Sequence, residues 1–391
     1  MAQAALAPPS VSDNQPKKTA RVVELDILRG FLLLWMALTH LPTLASNVSN
    51  QTFGFVSGAE GFIFLAAFMV GQIQYRAEKK RGEMGALRDI AKRTLRVYVY
   101  HCGLLAVAFS IGALIGVKLH RDPLCNLLSY YLQHPRHAIV AALLLQYKPS
   151  LLDILPMYVV FMALTPVARY IAKRWTWEPV IYVSFLIWAG AQFGLRAWVY
   201  RHVNFGIDVP ENSIGAFDWF AWQLLWTVGL ALGTMYADSL ASDQIKDGLK
   251  MPLWLLRVST LVALILLVLR YCPVDRWIDS NVYGWLIDKW HLAPIRVLDF
   301  SAIAVLLVRY GAKIAAIPIF PPLARLGRAS IEVFSVHVLC CLAADALSHQ
   351  ADPNLQWWEQ VLVLVGTIAA MFGTAEAHKL WTSRRDPAKT V

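Results

Sequence analysis

The stretch from Glu24 to Leu41, ELDILRGFLLLWMALTHL, sets three ionisable side chains, Asp26, Arg29 and His40, into an otherwise apolar run. An imidazole titrates near neutrality and can take a proton from a hydroxyl as a general base. A guanidinium holds phosphate or carboxylate through paired hydrogen bonds. Eleven positions separate Arg29 from His40. At about 100° per residue that is roughly three turns of helix, so both fall on nearly the same stripe, and Asp26, three residues earlier, joins it. The axial distance from Arg29 to His40 is about 16 Å, roughly half the thickness of a bilayer's hydrocarbon. Ionisable groups at that depth are costly, and their default reading is a functional site facing a bundle interior or a wet cavity. The bland alternative is a neutral histidine hydrogen-bonded to a neighbouring helix.

Further polar groups sit in apolar surroundings. Glu60 is the only acid in FGFVSGAEGFIFLAAFMVG, between Gly58 and Gly61. Small residues allow close helix approach, and a carboxylate there needs a partner. Its expected depth matches that of His40, so the simplest pairing is Glu60 with His40, the carboxylate fixing the tautomer of a catalytic base. Asp153, before Pro156 in LLDILPMYVVF, reads as a helix cap or as an acid of an acceptor pocket. Trp222, in FDWFAWQLLWTVGLALG, is an interface anchor or a stacking platform for a saccharide. Arg296 and Asp299 are spaced for a mutual ion pair. His337 is a second histidine within an apolar run and His101 a third, and Glu332 lies about 140° around the helix from His337, too far to pair with it. The cluster Arg76, Lys79, Lys80, Arg81, Arg88, Lys92, Arg93 and Arg96 is either a topology signal or an electrostatic funnel for a polyphosphate such as coenzyme A. The five cysteines show no metal spacing, and no metal site is expected.

Those residues need helices to position them. The chain has 391 residues, 57% hydrophobic and 16% charged, against about a quarter charged in soluble domains. This composition predicts an all-α, polytopic membrane protein. About ten transmembrane helices are expected, near 25–45, 53–74, 94–117, 150–171, 179–200, 216–237, 252–271, 294–316, 329–349 and 357–378. His137–Gln146 is apolar but too short to span. Most of the 36 Lys and Arg fall in alternate connections if both termini are cytoplasmic. That placement accounts for the net charge of +10 through lipid headgroups, with no nucleic-acid partner. Residues 1–20 read as a disordered cytoplasmic tail, 21–380 as the membrane domain and 381–391 as a second cytoplasmic tail.

The order Asp26-x-x-Arg29-Gly30, then His40, then GFVSGAEGFIFL, with LDILPMY at 152–158, FAWQLLWTVGLALG at 220–233 and LGRASIEVFSVH at 326–337, resembles the OpgC-type osmoregulated periplasmic glucan succinyltransferases, part of a wider transmembrane acyltransferase superfamily. The resemblance spans about residues 21 to 378. It implies acyl transfer from a cytoplasmic acyl-coenzyme A, succinyl or acetyl, to a hydroxyl of a periplasmic glucan at a bacterial inner membrane. The acyl-coenzyme A is a co-substrate, and no permanently bound cofactor is implied. The resemblance makes His40 the catalytic histidine and Arg29 its motif partner.

From residue type and depth, Glu60 is added to the catalytic set. Asp26, Arg93 and Arg96 join Arg29 on the donor side, and Asp153, Trp222 and His337 are assigned to the acceptor. Three alternatives stay open: an N- or O-acetyltransferase acting on another saccharide, a proton-coupled transporter or lipid-linked sugar flippase, and a non-enzymatic scaffold. The acceptor glycan, the oligomeric state and the choice between direct transfer and an acyl-enzyme are left open by the sequence.

Overall fold

The computed structural model describes residues 23–203, 209–242, 251–348 and 355–385. Among these the structure is helical, with no strand. The expected tail 1–20 lies outside the described residues. Of 381–391, the first five continue the last helix and the rest lie outside.

α1 (Val23–His40) carries Glu24 and Asp26 in its first turn, where acids suit the helix dipole, and stops just before Pro42. The uncharged linker that follows folds into α2 (Leu44–Ser49), tied back by the Trp35 indole donating to the Ser49 carbonyl at 2.5 Å. α3 (Gly58–Val107) opens with a capping box in which Ser57 and Glu60 satisfy one another's orphan amides. It bends at Gly82, whose φ of 72° and open surroundings suit glycine alone. A π-helical turn, Ala108–Gly112, leads into α4 (Ala113–Lys118). Short helices α5 (Asp122–Leu127), α6 (Ser129–Gln133) and α7 (Pro135–Leu143) then fold back, and α7 buries Ala138, Ala141 and Ala142. α7 is the short apolar patch seen in the sequence.

The rest of the chain adds ten more α-helices among the described residues. The first four are α8 (Ile154–Arg174), α9 (Trp177–Gln192), α10 (Leu195–His202) and α11 (Trp219–Ala241), the last capped by Asp218 accepting from the Phe220 amide at 2.9 Å. α12 (Leu253–Tyr271) and α13 (Ser280–Ile287) precede α14 (Pro294–Ala315). α15 (Leu323–Arg328), α16 (Ser330–Leu347) and α17 (Trp357–Arg385) complete the bundle.

Six helical stretches are long and apolar enough to cross a membrane, or seven if the α9–α10 pair, bent by 85°, counts as one span. This is fewer than the ten expected, and the reasons are physical. The second and third expected spans belong to one continuous stretch, Gly58–Lys118. α1 and α14 form as helices at the first and eighth expected spans, but Glu24, Asp26 and Arg29 in one and Arg296, Asp299, Arg309 and Lys313 in the other make them too charged to qualify on apolarity. Both of these helices bury ionisable groups, Asp26 in one and Arg296 and Asp299 in the other. The multi-pass membrane character stands on the remaining stretches.

Close packing needs glycine where α1 meets α15. A Cβ on Gly30 would lie 1.9 Å from the Leu323 carbonyl oxygen, and one on Gly327 would lie 1.9 Å from that of Asp26. α3 and α11 approach in the same way at Gly233, against the Phe68 carbonyl. One core, including Leu33, Ile63, Trp222 and Val333, runs through α1, α3, α11 and α16.

Candidate functional site

The polar stripe of α1 faces α16. At its start, Arg29 donates to the Ser330 hydroxyl on the first turn of α16. At its end, His40 Nδ1 lies 3.4 Å from His337 Nε2, and the two rings stack with centroids 5.7 Å apart and planes 15° apart. The sequence rule that aligned Arg29 with His40 thus holds in space, and a second helix reads both ends of the stripe. His337 is fully buried, with the edge of the Phe334 ring 4.9 Å away between centroids. His40 keeps an exposed face although protein surrounds it, so it lies in a recess rather than packed dry. Asp26 is buried 3.8 Å from the Arg328 guanidinium.

Glu60 is not the partner of His40. One of its oxygens accepts from Arg296 Nε at 2.8 Å and from Nη2, and the other accepts from the Ser57 amide at 3.0 Å and the Ser57 hydroxyl at 2.5 Å. Both oxygens are spent, and Glu60 and Arg296 are both fully buried. Nor do Arg296 and Asp299 pair with each other. Asp299 accepts instead from the Phe55 amide at 2.6 Å. The physical reason is competition: an isolated buried carboxylate needs a cation and amide donors, and Arg296 at the start of α14 reaches it before any neutral imidazole can.

The other expected site residues separate in space. Arg93 is exposed, and its charge and that of Arg29 both act on Tyr158 of α8. Arg96 is paired with Glu332, which also meets the Tyr100 hydroxyl at 3.3 Å and His378 at 3.4 Å. Part of the basic cluster is neutralised locally, since Arg81 pairs with Asp89, while Glu78, within the cluster, bridges Arg169 and Lys173 of α8 instead. Asp153 is buried but does not cap α8; it accepts from the Ala216 amide at 3.2 Å and so holds the loop before α11. Trp222 is core, not a platform. It is fully buried, its indole donates to the Trp290 carbonyl at 3.0 Å, and Phe217 packs edge-on against it. His101 is fully buried on α3, away from the His40–His337 pair. All five cysteines are free.

Two lysines that the sequence reading passed over lie near these groups. Lys289, half-buried between α13 and α14, acts electrostatically on His40, Glu60 and Asp153, and burial holds its ammonium below the usual lysine range. Lys148 is buried, and desolvation brings it down to about 7. His291, in the same connection as Lys289, is held above the usual histidine range by its hydrogen bond to Asp288. None of these residues carries a spacing pattern that marks it, since each lies in a loop whose course only the fold determines.

Chemically, the recess offers one accessible imidazole hydrogen-bonded to a second, with an arginine about 16 Å away along the same helix face. Such an arrangement can remove a proton from a hydroxyl and hold an anion at a distance. No curated protein and no solved structure matches the chain. The family profile described as OpgC protein matches residues 21–383, which includes both histidines, Arg29 and nearly every described helix. The chain therefore belongs to the OpgC protein family.

Proposed function

We propose that this chain is a membrane O-acyltransferase of a bacterial inner membrane that moves a succinyl group from a cytoplasmic acyl-coenzyme A to a hydroxyl of a periplasmic glucan. The observation that carries this reading is the His40–His337 pair, an imidazole with an exposed face whose Nδ1 is engaged by a second, fully buried imidazole. Family membership supplies the reaction class.

In this mechanism the proton shared by the two rings resides on Nδ1 of His40, which leaves Nε2 of His40 unprotonated. Nε2 takes the proton of the acceptor hydroxyl as its oxygen attacks the thioester carbonyl. The tetrahedral intermediate collapses, the carbon–sulfur bond breaks, and the imidazolium returns its proton to the leaving thiolate, giving an ester and free coenzyme A. His337 positions His40 and fixes its tautomer, the role first given to Glu60. Arg29 and Arg93, at the opposite end of the stripe, hold donor phosphates. Glu60, Arg296 and Asp299 keep α3, α14 and the Phe55 loop in register around the recess.

The test is reconstitution of the purified chain in sealed vesicles, with labelled succinyl-coenzyme A on one face and neutral glucan on the other. Mass spectrometry should show a succinyl ester on the glucan and stoichiometric free thiol on the donor side. Uptake of either compound across the bilayer without ester formation would overturn the reading in favour of transport.

A further inference from the structure

A slot of about 500 Å3 opens between α8, α9, α10 and α11, and neither His40 nor His337 lines it. One end is polar and formed by Lys148, Arg196, Asp218 and Trp219. The rest is walled by apolar side chains such as Phe161, Leu164 and Leu230. From Trp219 to Leu230 along α11 is about 16 Å, close to the hydrocarbon depth of one leaflet. Leu144 and Leu164 at the rim are 57% and 56% exposed, so the slot opens to the side where the bundle meets lipid.

The polar end is built but incompletely satisfied. Lys148 is only 4% exposed, and its ammonium stands 3.7 Å over the Trp219 ring. Among the described residues no carboxylate lies within ion-pair distance of it. The buried Nε1 of Trp219 has no acceptor, and Oδ2 of Asp218, itself fully buried, accepts no hydrogen bond, its nearest cation being His291 at 3.9 Å. Arg196 uses two donors on the Gly215 and Ala216 carbonyls, at 2.6 and 3.3 Å. Leaving buried donors and acceptors unmade is expensive. Two basic side chains, Lys148 and Arg196, and one carboxylate, Asp218, line the slot. A ligand that resolves all of this carries an anionic group for Lys148 and the indole N–H, a donor for Asp218, and an alkyl chain for the apolar wall.

We propose that this slot holds an anionic glycerophospholipid, with its phosphate at Lys148 and Trp219, a headgroup hydroxyl at Asp218 and one acyl chain along Phe161, Leu164 and Leu230. The site is separate from the histidine recess and does not rest on acyl transfer.

The experiment uses the full chain purified in detergent. It is supplied in turn with phosphatidylglycerol, phosphatidylethanolamine and phosphatidylcholine of matched chains, and retained lipid is read by native mass spectrometry. One phosphatidylglycerol should be retained in preference to the other two. Lys148→Met should weaken retention about tenfold to a hundredfold, as loss of a charge-assisted hydrogen bond does, and Lys148→Arg should restore most of it. Leu164→Trp, which fills the slot from the rim, should abolish retention while thermal unfolding stays at the wild-type temperature. If Lys148→Met fails to fold, Lys148→Arg and Leu164→Trp still decide the matter. Equal retention of phosphatidylcholine, or unchanged retention in folded Leu164→Trp, would overturn the proposal.

Discussion

Two polar sites in this bundle, one around Glu60 and one around His40, are held in different ways. Around Glu60 each carboxylate oxygen has its donors, Arg296 is fully enclosed, and Asp299 closes on the Phe55 amide. Around His40 the contact to His337 is long, at 3.4 Å, and one face of the ring is open. Both Glu60 oxygens are occupied by donors, which fixes their geometry, while Nη1 of Arg296 and Oδ1 of Asp299 stay buried without a hydrogen bond. A histidine held on one side and open on the other keeps a nitrogen for chemistry. On the acyl-transfer reading proposed above, exposure is what separates His40 from the buried Glu60–Arg296 pair.

That contrast can be broken by substitution. The largest effect belongs to His40→Ala, which should lower the acylation rate about 10²–10⁴-fold, the usual cost of losing a general base, with the amount of folded protein unchanged by size-exclusion chromatography. Near-normal ester formation by that variant would remove the histidine from the mechanism. Glu60→Gln should act on the other axis. It leaves Arg296 buried without its counter-charge, a loss of about 3–5 kcal/mol, read as a drop in unfolding temperature and in yield from the membrane. A stable Glu60→Gln protein with a slowed reaction would reverse the roles assigned to the two sites.

His337→Ala should fall between them, costing about 10² in rate with little loss of stability. Its pH–rate profile should shift, because a merely structural residue would leave the titration of His40 alone. Gly30→Ala drives a methyl group into the Leu323 carbonyl and should destabilise by about 1–3 kcal/mol, the cost of overpacking. It probes the α1–α15 contact that aims the histidine stripe.

A pH dependence tests the slot rather than the histidine pair. Lys148 has its folded pKa brought down to about 7 from 10.5, so between those values the unfolded chain binds more protons and stability rises with pH. The slope should vanish in Lys148→Met and shrink when an anion occupies the slot. An unfolding temperature that falls across pH 7–10 in wild type but not in the variant would contradict the sign.

The apolar runs that become membrane helices and the alignment of Asp26, Arg29 and His40 on one face of α1 are legible in the sequence, because helical periodicity and hydrophobicity are local properties. Which groups meet across the bundle is not local. The sequence offered Glu60 to His40 and Asp299 to Arg296 on grounds of depth and spacing, and tertiary packing paired Glu60 with Arg296 and His40 with His337 across 297 positions of chain. It also moved Asp153 from a cap to a loop tether and Trp222 from a surface to the core. Residue types determine which side chains cannot be left unpaired in an apolar interior. Only the three-dimensional path of the helices decides which partner is near enough, and so which imidazole is left with a nitrogen to spare.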